Sequence, residues 1–319
     1  MAHIRILGTG ATIASTAGDD GAAVAAGAAP GTREDPETGL AGRHTVSTRQ
    51  VGTAGRMPRL ADLRRVVLAA VAALEEPRVD GAVVTYPSAG IAEAAFLLDL
   101  VLASPKPVVF TGARRAPGRP GADGLRNLAE AVEAAAAEEL HGAGVLIAMG
   151  GTVRTARGAF MGPPVQGGTE VGRFLGDRLH VTARPVRSAP LPVPSDDFDR
   201  ARVDIVDCPL GADTSLLRQA TGAADAVVLT GSQLAEPSED LVAAVQDAVT
   251  AGCPVMLSSW CSSLVLPGYG ELVAPELVAA GGMPSGELGA AQVRMLAALL
   301  TSAPAAHEEI RRALTTGGA

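Results

Sequence analysis

A chain of 319 residues is long enough for two domains or one large α/β unit with an ample core. It is 47% hydrophobic but only 3% aromatic, so small aliphatic side chains must build that core. A net charge of -8 argues against nucleic acid or an anionic membrane surface as partner.

The chain runs directly into a strand pattern at Ile4–Gly8, and no basic-then-apolar leader precedes it. No apolar run reaches the roughly 18 residues that a membrane-spanning helix needs. The expectation is a cytoplasmic protein with no membrane partner. Residues 17–50 follow without clear periodicity, rich in Gly and polar residues. A stretch of that length inside a compact domain reads as a lid or binding loop, which we bound at about 16–45 and expect to be mobile without ligand. Apolar residues three and four apart then predict helices over Leu60–Leu74, Ile91–Leu102 and Ala122–Glu138. Short apolar runs between them predict strands at Gly81–Thr85, Val108–Thr111 and Gly144–Met149.

Residues 185–200, PVRSAPLPVPSDDFDR, break the rhythm with four prolines, three Asp and two Arg. This places an N-terminal α/β domain at 1–187, a linker at 188–202 and a C-terminal α/β domain at 203–319. The second domain carries strand patterns at Val203–Val206, Ala226–Thr230 and Val255–Ser258, with helices over Asp240–Val249 and Ala290–Leu300. Strands alternating with helices predict the α/β class, with parallel sheets covered by helices. Cys208, Cys253 and Cys261 form no CxxC pair and have no histidine at metal-ligand spacing, so neither metal nor cofactor is expected.

In an open α/β sheet, ligands collect at the carboxyl ends of the strands. The residues following the four N-domain strands are Thr9-Gly10-Ala11-Thr12, Tyr86-Pro87-Ser88-Ala89, Arg114-Arg115 and Gly150-Gly151-Thr152. Hydroxyls dominate this set, with no histidine and no obvious carboxylate at the strand ends, which argues against an ordinary Ser-His-Asp hydrolase. GTGAT is not a GxGxxG phosphate fingerprint. It reads either as a hydroxyl presented on a tight turn beside backbone amides or as a simple helix cap. Any one of Arg114, Arg115, Arg119, Arg126 and Arg154 reads first as a surface residue paired with a carboxylate, and Arg114 also as a bidentate anion holder. Of the histidines, His44 in the lid is the one that reads as a replacement base.

ILGTGATIAS (6–15), GAVVTYPSAGIAEAAFLLD (81–99) and PVVFTGARRAPGRPGADG (107–124) resemble, in order and spacing, the signature regions of the bacterial L-asparaginase family. The likeness extends to VDIVDCPLGADTSLLRQA (203–220), AVVLTGSQ (226–233), PVMLSSWCSS (254–263) and GELGAAQVRMLAALL (286–300). It implies an asparaginase-like fold, a larger parallel-sheet N-terminal domain with a smaller α/β C-terminal domain, and assembly as a homodimer or homotetramer. The resemblance carries the family's TGGTIA nucleophile onto Thr12 and the first Thr of that motif onto Thr9, with Ala11 beside them. The second catalytic Thr of HGTDT falls on Ser88, its Asp on Ala89 and its leading His on Tyr86. The substrate-binding Ser of GSQD falls on Thr53. The catalytic Lys falls on Met161 in MGGTVRTARGAFMGP, and the family's lid tyrosine has no counterpart, since residues 1–85 contain none. Arg157 matches an arginine of the family pattern. Lys106, the chain's only lysine, precedes a strand and should lie at the opposite sheet edge.

These departures point one way. A threonine hydroxyl is a poor nucleophile without a base or cation to assist it. Ala89 and Met161 also replace charges by apolar groups, so the expected ligand is a small molecule of more apolar character than asparagine. Three readings follow. One is a divergent enzyme acting on another amide or acyl compound, such as a specialised metabolite, with Thr12 and Ser88 as catalytic hydroxyls. The others are a non-catalytic protein that binds a ligand or partner in the same crevice, and an ordinary asparaginase.

Overall fold

The computed structural model describes residues 1–10, 15–17, 23–25, 43–52, 59–162, 165–259, 265–266, 270–271 and 273–302. Two compact units divide the chain, Met1–Val193 and Pro194–Ala319. The change of unit falls inside the proline-rich stretch.

The first unit is built on a mixed eight-stranded sheet. Its strands are β1 (His3–Gly8), β2 (Thr45–Gln50), β3 (Gly81–Thr85), β4 (Val108–Thr111), β5 (Val145–Met149), β6 (Thr152–Thr155), β7 (Glu170–Leu175) and β8 (Arg178–Val181). The order across the sheet is β8-β7-β6-β5-β4-β3-β1-β2. β2, β1, β3, β4 and β5 pair in parallel, whereas β5 through β8 form an antiparallel meander. Gly150 and Gly151 make the two-residue turn that starts the meander, with φ of 64° and 82°. The loop expected to serve the site after β5 is therefore a tight hairpin.

Three helices cover the parallel strands: α1 (Leu60–Glu75), α2 (Ile91–Val101) and α3 (Gly124–Ala135). β3, β4 and β5 are buried at every position, as strands covered on both faces must be. Ile4, Ile6, Val83, Val109 and Leu146 pack with Leu128 and Val132 of α3. Phe96 and Phe110, each fully buried, are among the largest side chains in the interior.

The second unit has a parallel sheet of β9 (Val203–Asp207), β10 (Ala226–Thr230), β11 (Val255–Ser259) and β12 (Met283–Gly289), in that order. Its helices are α4 (Ser215–Thr221), α5 (Glu239–Thr250), α6 (Pro275–Ala279) and α7 (Ala290–Thr301). Val227, Leu229, Val255 and Leu257 bury one sheet face against Leu217, Leu241, Val245 and Leu277. Among the described residues, no helix is long and apolar enough to cross a membrane.

Two sequence expectations need adjustment. The stretch read as a linker is anchored rather than free at both ends. The Leu191 N–H donates to Leu100 O at 2.7 Å, and a 3₁₀ turn at Asp196–Arg200 buries Phe198 completely in the second unit. Most of the lid at 16–45 lies outside the described residues. Its described parts include a two-strand hairpin of Ser15–Ala17 with Ala23–Ala25 and the start of β2.

Candidate functional site

The five parallel strands run 2-1-3-4-5 across the sheet, so successive connections leave β1 in opposite directions. The crevice at such a reversal, outside the carboxyl ends of β1 and β3, is where this architecture binds ligands. The loops after these strands are those that the sequence selected.

Gly10 follows β1 with φ of 76°, a left-handed conformation that glycine adopts without strain. The turn lets Thr9 face the neighbouring strand, and its Oγ1 donates to Thr85 O at 2.6 Å. That proton is committed to backbone, so Thr9 ties the two loops together rather than acting as a nucleophile. The chain leaving β2 closes on the same point, since a side chain at Gly52 would meet Thr9 O at 3.4 Å. Ala11, Thr12 and Thr53 lie outside the described residues.

After β3, Tyr86 turns inward and Ser88–Gly90 form a 3₁₀ turn leading into α2. Ser88 is half-buried and Ala89 exposed, both at the positive end of the helix. The loops after β3 and β4 approach closely, with the Tyr86 N–H donating to Thr111 O at 2.8 Å. A Cβ at Gly112 would stand 2.6 Å from Tyr86 O, so only glycine fits there.

α3 holds the outer loops in place. Asp123 accepts the backbone N–H groups of Arg114 and Arg115 at 3.0 and 3.1 Å. Asn127 donates to Gly112 O at 2.9 Å and accepts from the Gly150 N–H at 3.1 Å. Glu130 accepts the Gly151 N–H at 3.0 Å. Arg114 itself is exposed. Its fixed part is its backbone.

The remaining expected positions separate. Met161 follows the short strand Ala159–Phe160, which packs against α2, and is 46% exposed. Ala89 is exposed as well, so neither residue is enclosed. Arg157 lies over the Phe96 ring at 5.9 Å. Lys106 donates through Nζ to Leu74 O and Glu76 O at 2.7 and 3.1 Å, binding the carboxyl end of α1 at the far edge of the sheet. His44 precedes β2 at that same far edge, with Nε2 3.4 Å from Glu133 of α3. It is therefore not a base for the crevice. Among the described residues, no cluster of His, Cys, Asp and Glu could hold a metal.

The structure adds two acidic residues that sequence reading missed, Glu93 and Asp62, both acting on Tyr86. Tyr86 is 2% exposed, its ring 6.0 Å from that of Phe110. Its phenol is pushed above the usual tyrosine range, first by burial and then by the carboxylates of Glu93 and Asp62. Glu93 and Asp62 occupy the first turns of α2 and α1. Search confined to strand ends overlooks both, although each sits within four residues of a helix start.

A two-unit α/β protein with hydroxyls and a buried phenol at a sheet reversal is the class these observations define. Its sequence matches the profile of "Asparaginase, N-terminal" over residues 3–161 and of "Glutaminase/Asparaginase C-terminal domain" over residues 202–314. The chain belongs to the asparaginase family. It is 29% identical over 192 residues to the L-asparaginase of Bacillus licheniformis, a match spanning 56% of this chain and 58% of that protein. It is also 29% identical over 345 aligned positions to a glutamyl-tRNA(Gln) amidotransferase component from Halobacterium salinarum, covering 98% of this chain and 79% of that one. The thermostable L-asparaginase of Thermococcus kodakarensis superposes with a TM-score of 0.81 at 21% identity, over 98% of this chain and 96% of the other. That likeness concerns the fold.

Proposed function

We propose that this protein is an amide-cleaving or acyl-transferring enzyme of the asparaginase fold whose substrate is an amide other than free asparagine. In this reading the Thr12 hydroxyl oxygen bonds to the acyl carbon, the C–N bond breaks, and the leaving nitrogen takes the hydroxyl proton and departs as ammonia or an amine. Water or an acyl acceptor then cleaves the Thr12 ester, with Ser88 donating a hydrogen bond or positioning that water from the start of α2. The observation that carries the reading is the retained frame with altered charges. Thr9 still joins the β1 and β3 loops at 2.6 Å, while Ala89 and Met161 stand where the resemblance puts Asp and Lys. A small zwitterion then finds no counter-charge at position 89. A larger amide with an apolar body gains contact with Ala89 and Met161 instead. Arg114, exposed on the loop after β4, holds a distal acidic group of the substrate in this reading. The kinship with a protein named as part of a glutamyl-tRNA(Gln) amidotransferase supports a reaction on an amide beyond the free amino acid. The protein works in the cytoplasm as a homodimer or homotetramer in this account.

Ammonia release from a panel of carboxamides tests the reading. Turnover of a member other than asparagine and glutamine supports it. Uniform inactivity together with tight binding of one member favours a ligand-binding role.

A further inference from the structure

The four strands of the second unit stand side by side in chain order, β9-β10-β11-β12, so the order never reverses as it does beside β1. Its distinctive feature is an open edge. Among the described residues, β9 pairs with β10 alone. The Cys208 N–H donates to Thr230 O at 2.7 Å, which sets the alternation along β9. Asp204 and Val206 turn their backbone groups to β10, whereas Val203, Ile205 and Asp207 turn theirs outward. Arg294 Nε donates to Val203 O at 3.0 Å, and Ile205, at the middle of the strand, presents its N–H and C=O at the open side. A groove of about 670 Å³ runs between that edge and α4. Leu216, Gln219 and Ala220, three and four residues apart, line its helix wall, with Ala223 just beyond the helix end. Leu216 is 63% exposed, a large apolar side chain at the rim. The strand wall is acidic, because Asp204 and Asp207 share it with one guanidinium. Arg202 bonds Asp204 Oδ2 through Nε and Nη2 at 3.2 and 3.0 Å, and exposed Asp207 accepts the Thr230 hydroxyl at 2.7 Å. A carboxylate has about four acceptor positions, more than these contacts fill.

We propose that this groove binds an extended basic peptide, a segment of another protein that pairs with the outer edge of β9 as a fifth strand. Each feature has a counterpart in such a ligand. The Ile205 N–H and C=O pair with the peptide backbone, Leu216 and Ala220 take an apolar side chain, and Asp204 and Asp207 take Arg or Lys. The five residues of β9 match about 17 Å of extended chain. The carboxylates also guard the edge. An acidic or wholly apolar strand would desolvate them without supplying a partner, so the edge that admits a basic segment turns other strands away. The groove lies within the second unit and is independent of the amide chemistry proposed for the first.

The test is fluorescence anisotropy of three labelled six-residue peptides with the full chain at pH 7. One alternates Val with Arg, one alternates Val with Glu, and the third is the Val-Arg peptide methylated at its backbone nitrogens, which cannot donate to a strand. The wild type should hold the Val-Arg peptide at least about tenfold more tightly than either of the others, with affinity falling as salt rises. Leu216→Ser changes a rim position that folding leaves exposed, so it should weaken the Val-Arg peptide about fivefold at an unchanged melting temperature. Asp207→Asn should narrow the gap between the Arg and Glu peptides. Equal binding of the Glu or the methylated peptide, no binding of any, or affinities unchanged in both variants would overturn the proposal. So would sedimentation showing a dimer that Leu216→Ser converts to monomers, because a second copy of this chain would then occupy the edge.

Discussion

Replacing Asn127 by Ala should destabilise the first unit and loosen the loops beside the crevice together. Asn127 is 1% exposed and joins three places at once. Its Nδ2 donates to Gly112 O at 2.9 Å and to Asp123 at 3.2 Å, and its Oδ1 accepts from the Gly150 N–H at 3.1 Å. Truncation orphans the buried Gly112 carbonyl at about 1–3 kcal/mol, while the Gly150 N–H, on an exposed residue, recovers part of its loss from water. A small cavity adds to this, for a total of about 2–4 kcal/mol. Urea unfolding followed by circular dichroism reads the total, and amide exchange at Gly150 reads the local part. Gly150 should exchange faster than the interior amides of β5 in the variant. A loss below about 0.5 kcal/mol, the usual range of an inert surface change, would show that the loops stand without Asn127.

Other expectations concern charge and chemistry. Hydrolysis of L-asparagine and L-glutamine should be negligible, and turnover of either in the common enzymic range of about 1–10³ s⁻¹ in an ammonia assay would refute the altered-site reading. Ala89→Asp or Met161→Lys alone should recover nothing, because a lone introduced charge lacks its partner, whereas the double substitution should recover a trace. Asp99 is buried, and burial raises its carboxyl above the ordinary 3.8 despite the Val145 N–H and Arg187. A raised pKa contributes stability that is complete below the unfolded value and is lost as pH rises through the folded one. Wild type should therefore lose stability relative to Asp99→Asn as pH rises from the ordinary carboxylate range toward neutrality, and a relative gain in urea midpoints over that range would contradict the assignment. Removing the Lys106 ammonium with Lys106→Met should lower the stability of the first unit by about 1–2 kcal/mol without affecting any activity, because its Nζ binds the α1 carboxyl end.

The central strands are legible in the sequence because they are covered on both faces. β3, β4 and β10 fall where short apolar runs bounded by turn residues place them. β2, with its TVSTRQ sequence at a sheet edge, has no buried position, so its pattern merges with the polar lid before it. The meander of β6 to β8 hides for the same reason, since β8 alternates exposed and half-buried residues and carries little apolar signal. At the site, the loop assignments for Thr9, Tyr86 and Ser88 follow from strand order. The roles of Glu93 and Asp62 do not, because they depend on two helices packing side by side. His44 misleads for a related reason. Its place in the sequence beside a loop says nothing of which sheet edge the next strand begins on.

The measurement that bears most directly on the account is the effect of Thr12→Val on ammonia release across a carboxamide panel. The panel should include L-asparagine, L-glutamine, N-acyl asparagines, asparaginyl peptides and simple aliphatic amides. Valine keeps the shape of threonine and removes the hydroxyl, so unfolding by heat or urea should be nearly unchanged. The account predicts that the wild type releases ammonia from at least one member other than asparagine and glutamine, and that the variant releases none. Asparagine as the fastest substrate of the wild type, or full activity in the Thr12→Val protein, would contradict it.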